Sequence, residues 1–143
     1  MQVEEATMVT GDLLAALNRL VSQLSASAAP LTEDRLREVL ESSATHLLLA
    51  RDDRSTIIGS LTLAIFRIPT GLRVWIEDVV VDEAARGQRV GEALSRHALE
   101  MARSSGARTV ELTSRPERVA ANRLYARLGF ARRDTNVYRY TLS

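Results

Sequence analysis

The segment from Leu72 to Gly106 constrains the fold more than any other part of the chain. It opens with LRVWIEDVVVD, a long and largely apolar strand pattern. A short loop containing RGQRVG, Arg86 to Gly91, follows at once. The chain then continues as GEALSRHALEMARSSG, where Val90, Leu94, His97 and Met101 fall on one helical stripe that Gly106 closes. A strand that runs through so short a loop into an amphipathic helix belongs to a β-α-β crossover, and the rest of the domain has to be built around it.

Upstream, GDLLAALNRLVSQL places Leu13, Leu14, Leu17, Val21 and Leu24 at helical spacing. SASAAP interrupts with small residues and Pro30, and TEDRLREVLE restarts a helix with Thr32 as N-cap and acids in the first turn. THLLLAR and STIIGSLTLAIFRI read as strands joined at DDRS, and PTG turns into the long strand. Downstream, ARTVELTS reads as a strand, and PERVAANRLYARLG as a helix with Pro116 in its first turn and Gly129 at its C-terminal cap. NVYRYTL alternates as a last strand. The expected order is α-α-β-β-β-α-β-α-β. It describes one α+β domain over residues 1–143, a mixed central sheet flanked by helices.

Composition sets the class. A chain of 143 residues, 45% hydrophobic and 26% charged, can bury a real core. With no cysteine, disulfides, thiolate nucleophiles and Cys-ligated zinc are excluded. No apolar run approaches the ~20 residues that span a bilayer. The acidic start MQVEEATMVTGD is unlike a signal peptide, so the cytoplasm is the default. A net charge of +1 argues against a general nucleic-acid binder. The charge is uneven: six Arg face nine Asp/Glu in residues 1–70, and thirteen face nine in 71–143. All nineteen basic residues are arginine, a usage that, with abundant alanine, fits a GC-rich bacterial genome.

The RGQRVG loop has the makings of an anion cradle. The first N–H groups of a helix point out of its end without partners, and the macrodipole adds partial positive charge there. Gly87 and Gly91 remove side chains where a ligand lies against backbone, and Arg86 and Arg89 add attraction. The competing reading is a tight β-α turn in which glycine serves geometry only.

VVVDEAARGQRVGEAL resembles the signature of the GNAT superfamily of acyl-CoA-dependent N-acyltransferases, R/Q-x-x-G-x-G/A after a hydrophobic strand. ANRLYARLGF resembles the same family's terminal helix, which ends in Tyr and LGF. The resemblance spans nearly the whole chain. It implies that the backbone of Val79, Val80 and Val81 pairs with the pantetheine arm of acetyl-CoA. The amides around its pyrophosphate would come from Gly87, Gln88, Arg89, Val90, Gly91 and Glu92, with Arg86 beside them. Two positions depart from the pattern. Arg89 stands where the family usually has glycine, and Arg118 where it often has asparagine; Asn122, on the same helical face as Arg118 and Tyr125, is the candidate to replace the latter. Enzymes of this type often form homodimers near the C-terminus.

Acyl transfer to an amine requires loss of an ammonium proton, a stabilised oxyanion and a protonated leaving thiolate. By the resemblance, Tyr125 is the acid for the thiolate. Glu77 and Asp78 precede the hydrophobic triplet as they do in glucosamine-6-phosphate and polyamine acetyltransferases. Glu77 is assigned as base, direct or through water, and Asp78 as ammonium anchor; the reverse, or a salt-bridge role for one of them, stays open. A polar pair inside a buried strand is costly without partners, which favours function. Trp75 either lines the acceptor pocket or packs in the core. His97, mid-helix on the apolar stripe, reads as a packing residue, and His46 is assigned nothing. No residue pattern suggests a metal. The acceptor is expected to be a small-molecule primary amine; Arg73, Arg132, Arg133 and Arg139 are available should it carry phosphate. The rivals are a non-catalytic acyl-CoA-binding module and a protein or peptide N-acetyltransferase.

Overall fold

A computed structural model describes all residues, 1–143. The chain divides into two compact units, Met1–Thr113 and Ser114–Ser143. The first holds a four-stranded sheet in the order β1-β2-β3-β4. Its strands are β1 (Gln2–Glu5), β2 (Thr45–Arg51), β3 (Ile57–Ile68) and β4 (Gly71–Val81), and every pairing is antiparallel.

The helices of this unit are α1 (Gly11–Leu24), α2 (Glu33–Glu41) and α3 (Val90–Ser104). Thr10 caps α1, its hydroxyl accepting from the Leu13 N–H at 3.0 Å, and Thr32 caps α2, accepting from Arg35 at 3.2 Å. Leu13, Leu17 and Leu20 of α1 and Leu36 of α2 pack with Leu47, Leu49, Ile57 and Val80 as one core cluster on one face of the sheet. Helix α3 covers the other face with Val90, Leu94, Ala98 and Ala102. Its approach depends on Gly59: a Cβ there would lie 2.8 Å from Val90 Cγ1 and 3.2 Å from Leu94 Cδ1.

Several expectations are corrected. The four-residue β1 was too short and too polar to register as a strand, yet it pairs with β2 throughout. ARTVELTS forms no strand. Glu111 makes one isolated parallel bridge with Trp75, so the mixed character of the sheet is confined to that bridge. NVYRYTL is unpaired, with Val137, Tyr138, Tyr140 and Leu142 exposed. Alternation says which side chains a strand could bury; it does not supply a neighbouring edge. His97 is half-buried and off the core stripe, which passes through Ala98 and Ala102 instead of His97 and Met101.

The second unit contains α4 (Val119–Leu128). Its end is a complete Schellman motif. Gly129 sits at φ 101°, its N–H bonds to Ala126, and the Phe130 N–H bonds to the Tyr125 carbonyl at 3.0 Å.

Candidate active site

In the β3–β4 ladder Thr62 faces Glu77 and Ser60 faces Val80, leaving Asp78 and Val79 together opposite Leu61. This is a β-bulge, and Asp78 takes a left-handed φ of 49° within it. Aspartate tolerates that region better than most residues. The extra residue reverses the alternation along β4. Ile76 is paired with Leu63, on the side of Gly59 that meets α3, whereas Val80 lies in the core under α1 and α2. Glu77 is paired with Thr62, which faces Leu47, so Glu77 shares the sheet face of α1 and α2 with Trp75.

Both carboxylates are exposed, and neither has a hydrogen-bond or ion-pair partner. The expectation of a polar pair inside a buried strand is therefore wrong, because the bulge carries the pair out to solvent. A salt-bridge role for either is absent. What remains is two unpaired acceptors on consecutive residues of a distorted strand, free to bind an ammonium group or accept its proton.

Beyond β4, Asp82 starts a single 3-10 turn, Glu83–Ala85, and its carboxylate accepts from the Ala84 N–H at 3.2 Å. That backbone bond, followed by Arg19 and Gln23, holds the Asp82 carboxyl below the usual carboxylate range against the opposing effect of burial. Gly87 follows at φ 82°, and a Cβ there would meet nothing within 4 Å. Arg89 is left-handed, φ 62° and ψ 28°, and stands at the N-cap of α3 without a capping side-chain bond. Glycine adopts this conformation without a Cβ penalty, so the departure at Arg89 from the resembled pattern is one of backbone strain. The Arg89 side chain is 84% exposed and reaches toward Glu92 at 4.0 Å, with Arg96 on the other side of that carboxylate at 3.7 Å. Helix α3 therefore begins with uncapped amides beside a glycine that leaves open space, geometry that fits a phosphate group.

In the second unit, Tyr125 is 8% exposed and meets Phe130 edge to face, ring centroids 5.6 Å apart. The aromatic pair is the hydrophobic contact that accompanies a Schellman end, so LGF has a local structural cause. Burial pushes the phenol up, and Arg118 partly opposes this. Asn122 donates from Nδ2 to the Arg115 carbonyl at 2.9 Å, tying its helix to the preceding turn.

A cavity of about 800 Å³ is found elsewhere. It lies beside α3 and is lined by His46, Ile65, His97 and Met101 with Arg96 and Glu100, and none of the expected site residues borders it. His46 bonds Glu5 at 2.8 Å. The reading of the sequence missed the bulge and the Asp82 cap. Only the second had a signal, an aspartate directly before Glu83 at the end of an apolar run.

Residues 14–130 match the model of the acetyltransferase (GNAT) family. Glucosamine 6-phosphate N-acetyltransferase 1 of Oryza sativa subsp. japonica is 36% identical over 132 residues, an overlap of 85% of this chain and 76% of the relative. The chain belongs to the GNAT family. The protein is accordingly an acyltransferase, and the match runs across the boundary between the two units. Among solved structures, an acetyltransferase of Trypanosoma brucei is 28% identical with a TM-score of 0.78, covering 99% of this GNAT chain and 100% of the other. An aminoglycoside acetyltransferase from an uncultured soil metagenomic sample, in complex with trehalose, reaches a TM-score of 0.88 at 18% identity, covering 99% and 96%. At that identity the second likeness establishes the α+β fold alone. No helix of this GNAT protein is long and apolar enough to cross a membrane.

Proposed function

We propose that residues 1–143 act as one catalytic domain that transfers the acetyl group of acetyl-CoA directly to a primary amine of a small molecule, with a phosphorylated amino sugar as the first acceptor to test. The relationship to the rice glucosamine 6-phosphate enzyme carries this reading. The site residues support it. The amides from Gly87 to Glu92 hold the pyrophosphate, assisted by Arg86, and the backbone of Val79 to Val81 takes the pantetheine arm. Asp78 anchors the acceptor ammonium and Glu77 removes its proton, directly or through water. The Tyr125 phenol, kept protonated by burial, supplies a proton to the leaving thiolate. Asn122 orients the pantetheine with Oδ1, since Nδ2 is engaged by Arg115.

The test is release of free CoA thiol from acetyl-CoA with glucosamine 6-phosphate, polyamines, aminoglycosides and short peptides as acceptors. Turnover concentrated on the amino sugar phosphate is expected. CoA binding without turnover on any acceptor would leave a binding module, and turnover confined to peptides would move the enzyme to the protein-modifying class.

A further inference from the structure

Two side chains of α1 reach the loop that leads into α3. Arg19 Nε donates to the Asp82 carboxylate at 3.2 Å, and its Nη2 donates to the Ile57 carbonyl at 2.6 Å. One helical turn on, Gln23 Oε1 accepts from the Glu83 N–H at 2.9 Å. Asp82 itself accepts from Ala84. Two successive amides at the start of the 3-10 turn are therefore held by side chains, one of them directly from α1 and the other through a carboxylate that α1 grips. An isolated surface ion pair contributes little. This one differs because the guanidinium also bonds backbone and the Asp82 side chain is only 17% exposed.

The loop beyond this point has little else to fix it. From Arg86 to Arg89 it contains two positive-φ residues, and its backbone bonds are local, such as Gln88 N–H to Ala85 at 3.3 Å. Where its amides point is set by how its first turn is held. An array of donors binds an anion well only if it is ordered before the anion arrives.

We propose that Arg19 and Gln23 are positioning residues for the anion-binding loop, clamping its first turn so that the amides of Gly87 to Glu92 are aligned for a pyrophosphate. The inference rests on the reading of that loop given under the proposed function. It assigns α1 a task besides its core packing: its buried face builds the domain, and its outer edge tunes the donor site.

The experiment compares acetyl-CoA with S-acetylpantetheine, which carries the same thioester and arm but no pyrophosphate. For Arg19→Met and Gln23→Leu together, the preference for acetyl-CoA in kcat/KM is expected to fall about tenfold. The fall should lie in KM, with activity on S-acetylpantetheine and kcat at saturating acetyl-CoA within about twofold of the parent. Arg19→Lys, which can restore one of the two Arg19 bonds, should recover part of the preference. Hydrogen exchange should show lost protection at Glu83 and Ala84 and unchanged protection in β2 and β3. An unchanged preference overturns the clamp, and so does equal loss on both donors, the mark of a merely destabilised fold. A parent that fails to bind CoA overturns the reading of the loop, while the exchange measurement still decides whether α1 holds it. If the double variant does not fold, Arg19→Lys alone has to lower the preference, or the proposal fails.

Discussion

Arg89 combines the wrong shape with the right atoms. Its left-handed backbone costs an L-residue roughly 1–2 kcal/mol, whereas glycine adopts it freely. The side chain returns little, since it is 84% exposed and 4.0 Å from Glu92. Arg89→Gly is therefore expected to stabilise the protein by about 0.5–1 kcal/mol, read as a higher urea midpoint, because glycine's added unfolded-state freedom offsets part of the relief. Acetyl-CoA affinity should stay within about twofold, since the proposed donor at this position is the backbone N–H. A larger loss would mean that the guanidinium grips the anion.

Tyr125→Phe separates chemistry from stability. Turnover should fall about a hundredfold while CoA affinity holds; an unchanged rate removes the phenol as acid. Burial raises the folded pKa of this tyrosine above its ordinary value of 10.0, so the native state favours the protonated form. Its contribution to stability is fully present below pH 10 and is lost as pH rises through the folded pKa. Between pH 9 and 11 the parent's urea midpoint should drop more steeply than that of Tyr125→Phe. For Glu77→Gln the expected loss of rate partly recovers as pH rises and more acceptor is already neutral. A rate equal to the parent's at every pH rules out the base assignment.

Among the elements, the junction of β3 with α3 is the most demanding. Gly59 sits where any Cβ would strike Val90 and Leu94 and come within 3.2 Å of the Val80 carbonyl. Val90 is also the first residue of α3, the helix whose first amides are proposed to hold the donor. Gly59→Ala should thus destabilise by about 1–3 kcal/mol through overpacking and shift the start of α3. With Val90→Ala added, the loss should be smaller than the sum of the single effects by roughly 1 kcal/mol, because the two side chains compete for one space. Additive effects in urea unfolding would show that the clash is relieved elsewhere.

The same elements show what the sequence could and could not convey. Helices α1, α2, α3 and α4 were legible from local signals: apolar spacing along α1, Thr32 accepting the cap bond of α2, and Gly106 and Gly129 taking positive φ past the ends of α3 and α4. The bulge was illegible, since Asp78 and Val79 share Leu61 only once β3 and β4 are laid side by side. The exposure of Glu77 and Asp78 follows from that pairing and could not be anticipated from an apolar run. The Arg19–Asp82 contact joins positions 63 residues apart, and nothing in either local stretch announces the other.

For the whole molecule the relevant quantity is how charge is divided. Residues 71–143 carry thirteen arginines against nine acids, and residues 1–70 carry six against nine. The excess falls in the half of the sequence that contains the loop proposed to hold a polyanionic donor. Exposed charges act over a Debye length, about 10 Å at 0.1 M salt and 3 Å at 1 M. A field assembled from many arginines should accelerate encounter with acetyl-CoA at low salt and fade as salt rises, whereas direct bonds to the loop amides persist. The association rate for CoA, followed by stopped-flow, is accordingly expected to fall by about tenfold between 0.05 M and 0.5 M salt, with a much smaller change in dissociation. Neutralising one exposed arginine, such as Arg108→Gln, should barely alter that slope, since each contributes a small share. A slope that collapses on a single substitution would instead locate the attraction in one contact, and the distribution of charge along the chain would then have no part in capture.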